Sequence, residues 1–218
     1  MKIDFRKFIQ IQGVTTNEFR KQGLNPLDYS ATIFTSKYSI DHYFRLLKDI
    51  KVEMPADMKY FCVSEATAKY LQKYIVIRKR KLYVGNRTSR DLIDVVKKHK
   101  KESFIFPCSA IHTRHLTDWM EEHNFNLTKA IIYNTVPSDL SDLREVKYDM
   151  ICFYSPSGVD SLLKNFPDFE QNDTVISVFG PTTAKAATDA GLRIDIQAPK
   201  PSMPSMTAAI EGYLKANN

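Results

Sequence analysis

A chain of 218 residues, 43% of them hydrophobic, has material for one domain or two small ones, and it contains neither a run approaching the ~18 apolar residues of a membrane helix nor an opening stretch of signal-peptide character. Its three cysteines, Cys62, Cys108 and Cys152, are odd in number and far apart, which argues against a disulfide framework or a zinc knuckle and fits a reducing cytoplasm. The net charge of +6 suits an anionic partner.

In chain order, Ile3–Val14 is β-like and Thr15–Asp28 has helical and turn character. Ala31–Thr35 reads as a strand, and Ser36 or Ser39 starts a helix through about Ile50. Lys59–Val63 (strand), Glu65–Tyr74 (helix) and Lys81–Val84 (strand) follow. Thr88 or Ser89 caps a helix over Asp91–His99 whose apolar face is Leu92, Ile93, Val95 and Val96. Ser103–Phe106 is a strand, Pro107-Cys108-Ser109 a turn, Arg114–Glu122 a helix and Leu127–Val136 a longer strand. Asp149–Tyr154, the turn Ser155–Gly158 and the helix Val159–Asn165 lead to Val175–Phe179. There Gly180-Pro181 breaks the strand, Thr182 or Thr183 caps an alanine-rich helix, and Gly191 sits at its C-terminal end before Ile194–Ile196. A proline-rich loop, Pro199–Pro204, precedes a last helix, Met206–Ala216, capped by Ser205.

Strands alternating with helices predict an α/β fold, with parallel sheets flanked by helices and ligands outside the carboxyl ends of the strands. The turns at Ser36, Ser64, Pro107, Ser155 and Gly180 all fall at such ends. A turn that opens a helix presents free N–H groups and hydroxyls, a geometry suited to carboxylate or phosphate. The chain also repeats itself. Cys62–Leu71 lines up with Val178–Ala187 through a shared Thr-Ala-Lys, and Ile33–Phe44 lines up with Cys152–Leu163 at nearly the same separation. Two matches in the same order argue for a duplicated domain.

Five motifs in order carry a resemblance: Ile33-Phe34-Thr35-Ser36, Phe106-Pro107-Cys108, Tyr133-Asn134-Thr135-Val136, Phe153-Tyr154-Ser155-Pro156-Ser157-Gly158 and Phe179-Gly180-Pro181-Thr182-Thr183-Ala184. Together they resemble the uroporphyrinogen-III synthase family across nearly the whole chain. The resemblance implies two similar α/β domains joined by a two-stranded β-ladder, with the active site in the cleft between them. One domain would be 15–131, the other 1–7 plus 137–218, with 8–14 and 132–136 as the crossing strands. By the internal repeat, the discontinuous domain lacks counterparts of the strand and helix at Ser103–Asn124. Either the natural reading frame starts upstream of Met1, or a strand has been lost from that sheet.

The implied chemistry is closure of the linear tetrapyrrole hydroxymethylbilane to uroporphyrinogen III, with inversion of the last pyrrole ring and loss of water, and with no metal or organic cofactor. Tyr133 matches the family's tyrosine at the crossing; its hydroxyl would donate a proton to the departing oxygen or, alternatively, its ring braces the hinge. Thr35, Ser36, Ser64, Pro107, Cys108, Ser109, Ser155, Ser157, Gly158, Gly180, Thr182 and Thr183 form the implied substrate-binding set, and each hydroxyl among them has helix capping as its competing role. The alternative function is a non-catalytic relative that binds a tetrapyrrole or another polycarboxylate; Ser64-Glu65, where a glycine turn is expected, and the short start point that way. Expected besides are a cytoplasmic monomer that binds neither nucleic acid nor membrane. His112, His115 and His123 lack the carboxylate or cysteine that would complete a metal set, and the basic runs Arg78–Lys81 and Lys97–Lys101 lack interleaved aromatics and read as solvated faces.

Overall fold

A computed structural model describes residues 2–217; Asn218 and Met1, which the sequence places in the discontinuous domain, lie outside them. Backbone packing divides the chain into two compact units, an inserted one of residues 11–134 and a discontinuous one of residues 2–10 with 135–217. Among the described residues no helix is long and apolar enough to cross a membrane.

The first part of the chain runs β1 (Ile9–Gly13), α1 (Thr16–Lys21), β2 (Ala31–Phe34), α2 (Lys37–Asp49), β3 (Lys59–Cys62), α3 (Glu65–Leu71), β4 (Leu82–Val84), α4 (Ser89–Val96), β5 (Ser103–Ser109), α5 (His115–Glu122) and β6 (Asn126–Pro137). These strands form one sheet in the order β1-β6-β5-β2-β3-β4, with β6, β5, β2, β3 and β4 parallel. β1 and β6 carry the chain from one unit into the other.

The strands read as continuous apolar runs because both faces of the sheet are covered. Side chains of a strand alternate between faces. Phe34, Tyr60, Cys62 and Ile105 accordingly join one core with Ile40, Tyr43, Leu46 and Leu47 of α2 and Ala68 and Leu71 of α3. Ala31, Ile33, Phe61, Phe104, Phe106 and Cys108 join the opposite core with Leu92 and Val96 of α4 and Leu116 and Met120 of α5. Helix starts are set locally. Thr15, Ser36 and Thr88 each accept a backbone N–H three residues on within a capping box, and Ser64 accepts from Thr67.

Several boundaries differ from the sequence reading: Ser155–Gly158, read as a turn, is the cap and first turn of a helix that starts at Pro156, and the strand read at Ile194–Ile196 lies at Ile196–Ala198. The β-like stretch Ile3–Val14 narrows to Ile9–Gly13, because extended backbone becomes strand only where it has β6 to pair with. Pro107-Cys108-Ser109 is not a turn but the end of β5, all three residues buried. The long β6 holds β5 extended this far, pairing Pro107 with Ala130 and Cys108 with Ile131. β2 pairs β5 only at Ala31↔Phe104 and Thr32↔Ile105, so Pro107 comes after that ladder has ended.

The discontinuous unit continues with β7 (Met150–Phe153), α6 (Pro156–Asn165), β8 (Val175–Phe179), α7 (Pro181–Asp189), β9 (Ile196–Ala198) and α8 (Met206–Ala216). Its sheet is β7-β8-β9, all parallel. Val159, Leu162, Ala184 and Ala187 of α6 and α7 pack with Phe153, Ile176 and Val178, while Ala209 and Ile210 of α8 pack with Ile196 and Ala198. β7 is an edge strand, whereas β2, its partner in the sequence repeat, is flanked by β5 and β3.

Asp195 fastens this small sheet. Its carboxylate accepts the Ile176 N–H at 2.9 Å, the Arg193 guanidinium at 2.7 Å and the Gln171 amide at 3.2 Å. Burial works to raise its pKa, but the Arg193 and Ile176 hydrogen bonds outweigh it and hold the group below the ordinary carboxylate value. A depressed carboxylate stabilises the fold above its unfolded pKa and loses that contribution as the pH falls through the folded one. Asp195→Ala is expected to cost about 2 kcal/mol at neutral pH in denaturant titration, and to flatten the acid limb of stability below about pH 4. An unchanged midpoint at pH 7 would show that Asp195 fastens nothing.

Candidate active site

The inserted unit brings together the turns that follow β2, β4 and β5 at the carboxyl edge of its sheet, and there a cavity of about 590 Å³ opens. Thr35 from the β2 turn, Arg87 from the β4 turn, Arg90 from the first turn of α4, His112 and His115 after β5, and Tyr133 of β6 line it.

Tyr133 owes its position to an irregularity in β6. Cys108 pairs Ile131 but Ser109 pairs Tyr133, so Ile132 is an extra residue in the ladder. Strict alternation sends neighbours to opposite faces, yet Ile132 and Tyr133 both pack against the α2 side of the sheet. The bulge thereby turns the tyrosine toward the turn after β2. Its hydroxyl lies 3.3 Å from Ser36 Oγ, and its ring stacks on His42 of α2 at 5.5 Å with the planes 27° apart. Burial raises the phenol above its ordinary value, more than the Ser36 hydrogen bond lowers it, so Tyr133 carries its proton at neutral pH.

The His42 ring is held from below. A Cβ on Gly13 would lie 2.5 Å from His42 Nδ1 and 2.7 Å from Arg45 Nη2, so a larger residue there would push these side chains from their places. Arg45 in turn donates to the Val14 carbonyl at 2.7 Å.

Buried polar atoms nearly always find a partner. Among the described residues three buried side-chain nitrogen or oxygen atoms have none: His42 Nδ1, Ser109 Oγ and His112 Nε2. All three belong to the surroundings of Tyr133. His42 stacks on it, Ser109 faces it in the β5–β6 register, and His112 shares the cavity. The surroundings of Tyr133 thus hold hydrogen-bonding capacity that the described residues leave unused.

Of the residues expected from the sequence, Thr35 and Tyr133 line the cavity and Ser36 touches Tyr133. Ser64 Oγ lies 3.1 Å from Thr67 Oγ1 as part of its cap. Cys108 is buried, with its thiol pushed up to about 12 by burial, and belongs to the core; Pro107 and Cys108 thus do not form a substrate-binding turn. In the discontinuous unit Ser155 caps α6, accepting from Gly158 N–H at 3.3 Å, and Ser157 follows in its first turn. Gly158 is buried, with the Phe153 ring 3.4 Å from where a Cβ would be. Neither Thr182 nor Thr183 caps α7. Gly180 stands at the N-cap with φ +88°, where a glycine costs least, and no side chain closes the helix start. Thr182 is exposed and Thr183 buried. Arg87 and Arg90 escaped the sequence reading, which weighed His112 and His115 only as metal ligands; the one signal for all four was that they follow β4 and β5, which also end as parallel strands. His123 stacks on Trp119 at 4.2 Å instead of joining the other two histidines.

A cavity at the carboxyl edge of a parallel sheet, with a protonated tyrosine and, among the described residues, two arginines outside any ion pair, is suited to an anionic small molecule. The family model described as uroporphyrinogen-III synthase HemD matches residues 8–208, and the chain belongs to that family, whose members are cyclising hydro-lyases of haem biosynthesis. Among solved structures, the fold is similar to uroporphyrinogen-III synthetase from Helicobacter pylori, with 22% identity over 96% of this chain and 91% of that one and a TM-score of 0.60. A mutant uroporphyrinogen III synthase from Thermus thermophilus is similar at 13% identity over 96% and 87% of the two chains, TM-score 0.51. No curated protein sequence matches significantly.

His42 gives this site a pH dependence. Burial lowers its pKa, and Arg45 lowers it further against Asp41, so the folded protein holds it neutral more strongly than the unfolded chain does. The stability this confers is complete above the unfolded value of about 6.5 and is lost as the pH falls. His42→Phe, which keeps a ring under Tyr133, is expected to flatten the rise in stability between pH 5 and 7; His99, lowered by burial and Lys59, leaves a remainder. Equal slopes in parent and variant would mean that His42 titrates alike folded and unfolded.

Proposed function

We propose that the chain closes hydroxymethylbilane to uroporphyrinogen III and that Tyr133 is the proton donor of the first step. The observation that carries this reading is the Tyr133 hydroxyl itself, protonated, half-buried and beside a cavity large enough for part of a tetrapyrrole. In this step the hydroxymethyl C–O bond breaks, the Tyr133 proton goes to the departing oxygen, and water leaves. Electrons from the pyrrole form the azafulvene, so no external oxidant or reductant takes part. A ring carbon of the last pyrrole then attacks to give a spiro intermediate, which reopens and closes with that ring inverted; the proton lost from the ring restores the phenol. Without constraint the linear molecule closes uninverted, so the larger share of catalysis is the holding of one conformation.

Domains at 15–131 and at 1–7 with 137–218, joined by 8–14 and 132–136, are the organisation this reading uses, and the division into two compact units supports it. We place the enzyme in the cytoplasm, as a monomer; three free cysteines, two of them buried, support a reducing compartment. Family membership favours turnover over binding alone.

Tyr133→Phe is the direct test. Turnover of hydroxymethylbilane should fall ~10²-fold or more with KM little changed. Activity within a factor of about three of the parent would leave the ring only a bracing role.

A further inference from the structure

The cavity beside Tyr133 carries an arrangement of charge that proton donation does not use. Arg87 and Arg90 both line it, and among the described residues neither takes part in an ion pair. Asp91, the carboxylate nearest in sequence, is already engaged, accepting the Thr88 N–H at 2.9 Å and the Thr88 hydroxyl at 2.8 Å. His115 adds a further nitrogen base to the same wall.

The turn that presents Arg87 and leads into α4, which carries Arg90, is tied to its neighbours. Gly85 N–H bonds the Cys62 carbonyl at 2.8 Å, and Arg87 N–H bonds the Val63 carbonyl at 3.1 Å. A Cβ on Gly85 would come within 3.1 Å of backbone atoms of Val63 and Leu92, so the turn lies directly on its neighbours. Arg87 itself has φ +93°, a conformation that favours glycine and strains an arginine. Glycine would relieve that strain, yet this position holds the side chain suited to bidentate recognition of a carboxylate.

His112 offers a different contact. A carbonyl only accepts, so the 2.9 Å bond between His112 Nδ1 and the Ser109 carbonyl places the proton on Nδ1. In the neutral ring Nε2 is then an acceptor, and it is buried without a partner. Ile111, 81% exposed at the same cavity, supplies an apolar surface beside the cations. Two free guanidiniums, a nitrogen acceptor and an apolar wall describe a flat molecule with carboxylate arms and N–H donors.

We infer that Arg87 and Arg90 hold a side-chain carboxylate of the tetrapyrrole while His112 Nε2 accepts a pyrrole N–H, so that this wall sets the position of one ring relative to Tyr133. The inference rests on the tetrapyrrole reading of the site and deepens it. These are positioning residues, and their contribution is to binding held in common by substrate and transition state.

The test uses the full chain with two readouts, KM and kcat for hydroxymethylbilane, and direct binding of uroporphyrin, a stable porphyrin with the same carboxylate arms, followed by its fluorescence. Arg87→Gln and Arg90→Gln should each raise KM and weaken uroporphyrin binding about 10-fold with kcat within a factor of about three. Arg80→Gln removes the same charge from the basic run outside the cavity and should change neither. Arg87→Gly separates binding from folding: it should melt no lower than the parent, since glycine suits the backbone there, and still lose the affinity. Unchanged binding in the Arg87 and Arg90 variants, or an equal loss in Arg80→Gln, would overturn the assignment. If the parent binds uroporphyrin through these arginines but makes no uroporphyrinogen III, the carboxylate site stands and the proposed reaction fails. Absence of both binding and turnover in the parent would sink both.

Discussion

The site depends on how β6 pairs with β5. For most of its length the ladder is regular, from Ser103↔Asn126 to Cys108↔Ile131, and a regular ladder would send Tyr133 to the face opposite Ile132. The one-residue shift at Ser109 cancels that alternation, so a tyrosine follows a fully buried isoleucine on the same side. The contacts of the hydroxyl and ring follow from this placement: the Ser36 contact and the His42 stack. A bulge also leaves ladder groups less well paired, and a buried Ser109 hydroxyl without a partner lies at that point.

The rest of the inserted unit supplies rigidity to this arrangement. Its sheet is sealed by cores on both faces, and its helix starts at Thr15, Ser36, Ser64 and Thr88 are capped by their own side chains. Ser36 illustrates how economy arises: the hydroxyl that accepts the Ser39 N–H at 3.0 Å is also the one facing Tyr133. A cap fixed by its helix makes a fixed neighbour for the phenol, and preorganised neighbours are what positional catalysis requires.

Much of the fold was legible because it is written locally. β2, β3 and β8 are short apolar runs between turn residues, and the serine or threonine before α2, α3, α4, α6 and α8 is the residue that caps each helix. What was illegible depends on partners distant in sequence. Pro107 reads as a turn in isolation, but a parallel neighbour in β6 keeps it extended, and with it Cys108 passes from the candidate site into the core. Thr182 and Thr183 read as caps, but the positive φ of Gly180 starts α7 without one. Tyr133 was legible as part of a family motif, whereas the bulge that positions it was not. Arg87 and Arg90 were hidden for a different reason: an arginine in a surface turn has the same letter whether it faces solvent or a cavity, and only tertiary structure separates the two.

The proposed activity requires this cavity and its tyrosine to impose an inverted closure on a linear tetrapyrrole. Its most direct test is the isomer composition of the macrocycle formed from hydroxymethylbilane, resolved by chromatography after oxidation to the porphyrin. With the purified chain present the type III isomer is expected, formed faster than spontaneous closure. Type I product at the spontaneous rate, from protein verified as folded, would contradict it.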